Sequence, residues 1–246
     1  MHPSRAFRFK TILLVTLIFI SCMQASAQPK GPGTWNVGNV QYHMNEKWVA
    51  WAELQTRSYK VFNDFYYHEV KAGMQYNVNK SAMVLMGTGQ YVTYSEGGNF
   101  KAPTLTHEWR LWEQMTLVNN IDRFKIEHRY RVEQRWLTTG YRNRFRYRLN
   151  AIMPIAHKKL EPKTLYLTAF DEIFLTNLKP HFERNRIFGG AGYEFSNSFT
   201  LQLGALHQYD YRANGTTAAI TFFQTSIFFN INAAHITHEP HPGAMD

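Results

Sequence analysis

Cysteine is nearly absent. Cys22 is the one thiol in 246 residues, so no disulfide within the chain can hold the fold. Long apolar runs are missing too: after residue 20 no segment approaches the roughly 18 successive apolar residues of a membrane helix. There is no 3.6-residue helical period, no interdomain linker and no fixed-length repeat of the solenoid kind. Also missing are a GxSxG nucleophile elbow, an HExxH zinc helix and a glycine-rich phosphate loop ahead of a helix. These absences remove helical membrane proteins, disulfide scaffolds and the common hydrolase and nucleotide-binding classes. Acids are in deficit, 18 against 27 Lys and Arg, giving a formal net charge of +9.

What is present begins with a secretory pattern. Arg5, Arg8 and Lys10 precede an apolar stretch over residues 11–20, and Ala25-Ser26-Ala27 offers a cleavage site. The apolar stretch is too short to span a bilayer. The expected organisation is a signal peptide over 1–27, a leader with an accessory strand over 28–45, a barrel over 46–231 and a polar tail over 232–246. Lipoprotein processing at Cys22 is the alternative, since Ile20-Ser21-Cys22 partly matches a lipobox. Cleavage after Ala27 removes the only cysteine and three cations, leaving a net charge of about +6. An exported chain without disulfides needs another restraint, and a sheet closed on itself supplies one because every edge is paired.

The body of the chain alternates. From Arg123 to Arg135 every odd position is charged, while the even positions carry Phe124, Ile126, His128, Tyr130, Val132, Gln134 and Trp136. The parity then switches, and Arg142, Arg144, Arg146 and Arg148 alternate with Tyr141, Asn143, Phe145, Tyr147 and Leu149. A period of two is a β-strand with one charged face. A soluble sheet exposes that face, whereas a transmembrane barrel turns it into the lumen and shows lipid the apolar one. Strand-like runs fall near 35–43, 46–58, 65–78, 81–94, 104–118, 121–136, 140–153, 163–176, 182–196, 198–211 and 216–231.

Short links at 43–46, 79–81, 119–121 and 196–198 alternate with longer ones at 59–64, 95–103, 137–140, 177–181 and 213–216, as in outer-membrane barrels. The long link at 154–162 falls on the side where short turns are expected. The pattern predicts an all-β, transmembrane, antiparallel up-and-down barrel of about ten strands. The run 35–43 is then accessory, or one of twelve if it pairs with a further strand. Aromatic residues at run ends predict girdles: Trp48, Trp51, Tyr66, Tyr67, Tyr91, Tyr94, Trp109, Trp112, Trp136, Tyr141, Tyr193, Tyr209, Phe228 and Phe229.

Four blocks resemble a known family. They are His128 to Trp136; Arg144-Phe145-Arg146-Tyr147; Thr164 to Leu167 with Asp171 to Phe174; and Phe182 to Arg186 followed by Gly190 to Tyr193. Their order and spacing resemble the bacterial outer-membrane β-barrel family called domain of unknown function 2490, over roughly residues 35–231. The resemblance implies fold and an outer-membrane location, and no activity.

The charged face is the candidate site. Glu108, Arg110, Glu127, Arg129, Arg131, Glu133, Arg135, Arg142, Arg144, Arg146, Arg148, Glu172, Glu183, Arg184 and Arg186 are expected to meet in the lumen, with Glu53 and Glu69 sharing that face. Strands about 4.8 Å apart let opposite charges pair, and the planar guanidinium grips carboxylates bidentately. The expectation is an ion-pair plug, structural or leaving a narrow passage for an anion or ligand. Outer-membrane lipid, lipopolysaccharide and the barrel assembly machinery are the expected partners, with a small anionic ligand as a further one. Nucleic acid, cofactors, metal and catalysis are not expected.

Two rivals remain open: a barrel enzyme acting on envelope lipid or peptide at its outer rim, and a soluble periplasmic ligand-binding barrel. For the enzyme, His207 with Asp210 and Asp64 with His68 are the candidate pairs, but His207 and Asp210 are three apart and should face opposite ways. Glu113 and Asp171 fall on the lipid parity, where a carboxylate is destabilising unless it sits at an interface or a bulge shifts it. His235, His238 and His241 have metal-like spacing without a rigid frame.

Overall fold

A computed structural model describes residues 31–101 and 103–232. The expected signal peptide with Cys22 and the tail histidines lie outside the described residues. Eleven strands follow in order: β1 (Gly33–His43), β2 (Trp48–Lys60), β3 (Asn63–Asn79), β4 (Ala82–Tyr94), β5 (Thr104–Ile121), β6 (Phe124–Leu137), β7 (Gly140–Pro154), β8 (Thr164–Thr176), β9 (Phe182–Ser196), β10 (Phe199–Tyr211) and β11 (Thr217–Ile231). No helix among the described residues is long and apolar enough to cross a membrane. Each strand pairs antiparallel with the next, and β1 pairs with β11 to close the barrel.

The strand count corrects the expectation of ten or twelve. The run 35–43 is not accessory: it is β1, hydrogen-bonded to β2 on one side and to β11 on the other, with Gly33 level with Phe222 and Tyr42 level with Ile231. When direction alternates through an odd number of strands, the first and last run the same way, so closure requires one parallel seam. The β1–β11 pair is that seam.

Connection lengths are less regular than expected. β2 passes to β3 through Val61 and Phe62 alone, and β6 to β7 through Thr138 and Thr139 alone, so two links expected to be long are tight turns. The first is tight because pairing continues to Lys60–Asn63, with Phe62 and Asp64 taking up the left-handed backbone (φ 50° and 58°). The long link over 155–163 does exist, and it has a packing role. Its Leu160 is buried against Ile152 of β7 and Tyr166 of β8, which docks the loop on the barrel.

The wall has the polarity of a membrane barrel. Leu54, Val70, Met86, Leu203 and Phe223 are each more than half exposed on the outside, whereas Glu133 is 0% and Arg129 and Arg131 are 1% exposed inside. Aromatic pairs flank the outer face at both ends: Trp48–Tyr76 and Phe199–Phe229 at the Met44 end, Trp136–Tyr141 and Phe182–Tyr211 at the other. Several residues expected in these girdles point inward instead. Trp51, Tyr67, Tyr91, Trp112 and Phe228 are buried in the lumen, because they share parity with their strands' polar lumenal residues.

Bulk is what the lumen needs. With 4.8 Å between strands and a tilt near 40°, eleven strands enclose a backbone cylinder of roughly 11 Å radius. Arginine and tryptophan are long enough to fill much of it and to join strands three apart, as Arg135 of β6 does with Glu183 of β9. Glycines on facing strands make the room: a Cβ at Gly87 would lie 2.6 Å from the Trp112 ring, and one at Gly192 would collide with Tyr166.

Candidate functional site

The β6–β7 ladder sets like charges against each other. Arg129 lies opposite Arg148, Arg131 opposite Arg146 and Arg135 opposite Arg142. Like charges facing across a ladder destabilise it unless something neutralises them, and carboxylates from neighbouring strands do so. Glu133 accepts from Arg144 at 2.6 Å and from Arg146 at 2.7 Å, with Arg131 at 3.7 Å and Arg110 at 3.8 Å. One buried carboxylate thus ties β5, β6 and β7 together. Glu172 of β8 accepts from Arg129 and, at 2.8 Å, from Arg146, with Arg186 of β9 at 3.9 Å.

Toward the end that carries residues 95–103, Glu108 is held by Arg110 and Arg135. Glu183 reaches Arg135 at 3.3 Å, Arg142 at 3.6 Å and Arg144 at 3.7 Å. Glu183 and Arg184 are sequence neighbours, yet both engage lumenal partners. The register shift at Phe174/Leu175 leaves Glu183 without a partner on β8 and turns it inward. Arg184 pairs with Asp210 of β10 at 2.5 Å, apart from the central network. Glu127 is also peripheral, accepting from Asn150 at 2.9 Å with Lys125 at 3.5 Å. Arg131 has a neutral partner as well, the Gln114 side-chain carbonyl, at 2.6 and 2.9 Å.

Aromatic faces take part of the positive charge. Phe174, 0% exposed, has the guanidinium carbons of Arg146 and Arg186 at 4.7 Å and of Arg144 at 5.1 Å. Arg110 lies over Tyr91 at 3.6 Å, Arg131 over Trp112 at 5.2 Å and Arg148 over Phe170 at 5.0 Å. The attraction comes from the ring quadrupole and is strongest where water is excluded. The inward aromatics are therefore part of the site, and their shared parity with the arginines was the signal for them.

A second network occupies β2 and β3. Lys71 binds Glu53 and, at 2.7 Å, Glu69, and Arg57 binds Glu69 at 3.2 Å. Arg57 lies over Trp35 at 3.5 Å and over Tyr67 at 4.1 Å, and Trp35 donates to Gln55 at 2.7 Å. Glu53 and Glu69 were expected on the charged face, whereas their cationic partners were not singled out. Between the two networks lies an interior cavity of about 40 Å³, bordered by Trp35, Glu53, Arg148, Phe170, Glu172, Arg186 and Gln224 among others.

The two networks differ in charge. In the sector from β5 to β9, nine buried cations (Arg110, Lys125, Arg129, Arg131, Arg135, Arg144, Arg146, Arg148 and Arg186) face five buried glutamates, Glu108, Glu127, Glu133, Glu172 and Glu194. On β2 and β3, Arg57 and Lys71 face Glu53 and Glu69, two against two.

The remaining candidates separate. His207 faces outward and meets Thr221 at 2.8 Å, while Asp210 faces inward on Arg184, so the two cannot act together. Asp64 accepts from the Gly97 backbone at 2.7 Å, while His68 packs against Tyr94 and Phe100. Arg123 lies in the β5–β6 turn, outside the lumenal set. Glu113 and Asp171 do face outward, each with an amide partner: Gln134 at 3.1 Å and Asn185 at 2.5 Å. No group of three or more His, Cys, Asp or Glu among the described residues is arranged to hold a metal.

Among solved structures, LpxR from Salmonella typhimurium is similar in fold, with a TM-score of 0.50 over 75% of this chain and 86% of that chain, at 10% identity. No curated protein matches the sequence. A family model described as "Protein of unknown function (DUF2490)" matches residues 32–219, which take in β1 to β10 and the start of β11. Since that match covers well over half of the sequence and nearly the whole barrel, the chain belongs to the DUF2490 family.

Proposed function

We propose that this protein is an outer-membrane barrel whose interior is a cross-linked plug and whose function is not bulk transport through the lumen. The observation that carries this reading is Glu133, fully buried and surrounded by arginines of β5, β6 and β7. A carboxylate that gathers the arginines of three neighbouring strands holds their side chains in the lumen and narrows the space a solute would use. The outward Leu, Val, Met and Phe residues favour lipid as the outer partner over a soluble periplasmic existence, since soluble monomers rarely show apolar surface on that scale. In this reading lipopolysaccharide contacts the rim and the barrel assembly machinery inserts the chain.

Fractionation tests the location. Recovery with the outer membrane, with a shift in gel mobility on heating, is expected; recovery in the soluble periplasm would overturn the membrane reading. Swelling of liposomes containing the protein tests the plug: sugars and small anions should not enter faster than into empty liposomes.

A further inference from the structure

We infer that the cavity between β1–β2 and β7–β9 holds a small inorganic anion of about the size of a halide, bound by Arg148 and Arg186. The inference deepens the plug reading and rests on it. It begins with charge. Nine buried cations, eight of them arginines, against five buried glutamates leave an excess of four positive charges in the β5–β9 sector. A lysine in that position could shed its proton, but a guanidinium does not deprotonate in a protein. Aromatic faces attract these cations without contributing net charge. Isolated ions in a low-dielectric interior cost several kcal/mol each, so a counter-ion is favoured wherever there is space for one.

Space and surplus charge coincide at this cavity. It has about 40 Å³, enough room for a halide or a few waters. Its two bordering carboxylates are already engaged: Glu53 accepts from Asn39, Gln55 and Lys71, and Glu172 from Arg129 and Arg146. The neutral groups on the wall favour an acceptor as occupant. Gln202 uses its carbonyl to accept from Tyr166 at 3.1 Å, which leaves its amide nitrogen as the group to offer. Gln224 donates to Ser226 at 3.0 Å and leaves its own buried carbonyl oxygen without a partner. The opposite amide orientation, indistinguishable by shape, lets Ser226 donate to that oxygen and turns the Gln224 NH2 group away from Ser226. Behind Arg148, its ladder partner Arg129 is 1% exposed and has two nitrogens, Nε and Nη1, that make no hydrogen bond. A water could also fill the cavity, but only an anion reduces the excess charge.

The probe is bromide. The full-length protein is refolded into detergent micelles in sodium bromide, crystallised, and measured at the bromine absorption edge. An anomalous peak in the cavity, beside the guanidinium groups of Arg148 and Arg186, is expected. Density without an anomalous signal, which means water, would overturn the inference. In Arg148→Gln and in Arg186→Gln the peak should be lost or its occupancy reduced several-fold; an undiminished peak in either folded variant would contradict the assigned ligands. If one variant does not fold, the other and the wild-type map still decide. The outcome is separable from the plug reading. A conducting barrel with bromide in the cavity refutes the plug alone, and a non-conducting barrel without bromide refutes the anion site alone.

Discussion

The two charged networks inside this barrel are built to different rules. On β2 and β3, Arg57 and Lys71 meet Glu53 and Glu69, one acid per base, and polar neighbours such as Asn39 and Gln55 add hydrogen bonds to Glu53. Across β5 to β9 arginine outnumbers glutamate, like charges face each other on adjacent strands, and Glu133 and Glu172 each serve several guanidinium groups. The first network is balanced in charge by its own residues. The second depends on a few acids shared among many bases, on ring faces, and on whatever occupies the cavity. The difference predicts that acids and bases are equally critical in the first network and unequally critical in the second.

The largest effect is expected at Glu133. Glu133→Gln leaves Arg144, Arg146, Arg110 and Arg131 without their shared carboxylate, and removing one partner of a buried ionic group costs about 3–5 kcal/mol. Urea unfolding followed by tryptophan fluorescence should show a midpoint far below wild type or no folded barrel; a wild-type midpoint would mean that this carboxylate is not the hub. Lys71→Met should come next and fall in the same range of about 3–5 kcal/mol, since it leaves Glu53 and Glu69, diagonal neighbours on β2 and β3, without the cation they share. Arg148→Gln, by contrast, removes a base where bases are in excess, and the expected change is within about 1 kcal/mol in either direction. If Arg148→Gln and Lys71→Met cost the same in one denaturation series, the contrast between the networks is void.

The smallest effect lies outside the lumen. Glu113 faces outward from the middle of β5, with Gln134 as its partner. If the outer face meets lipid as proposed, Glu113→Leu should stabilise the barrel by on the order of 1 kcal/mol, because an acid against lipid is mildly unfavourable. A loss of stability would show that Glu113 has a use the wall does not reveal.

Much of this was legible in the sequence because strand periodicity is a local property. The alternation from Lys125 to Arg135 and from Arg142 to Arg148 is enough to put those side chains on one face, and all of them lie inside. Barrel closure is not local. The run 35–43 has the same alternation whether it is accessory or closing, and nothing in its residues announces a parallel seam with β11. The inward aromatics were legible and were misplaced: Trp112 shares parity with Arg110 and Gln114, but its distance from the strand ends carried less weight than its type. Glu183 shows the opposite limit. Simple alternation cannot turn both Glu183 and Arg184 inward, and only the register shift between β8 and β9 allows it. Which base meets which acid depends on strand register, which the sequence pattern leaves open.

The most direct test of the central claim is single-channel recording of the purified, full-length protein in planar bilayers at neutral pH. The plug predicts no stepwise conductance above the bare bilayer for wild type. Resolved, anion-selective steps in the wild-type barrel would show a continuous path through the arginines and would contradict the claim that Glu133 and its partners close the lumen.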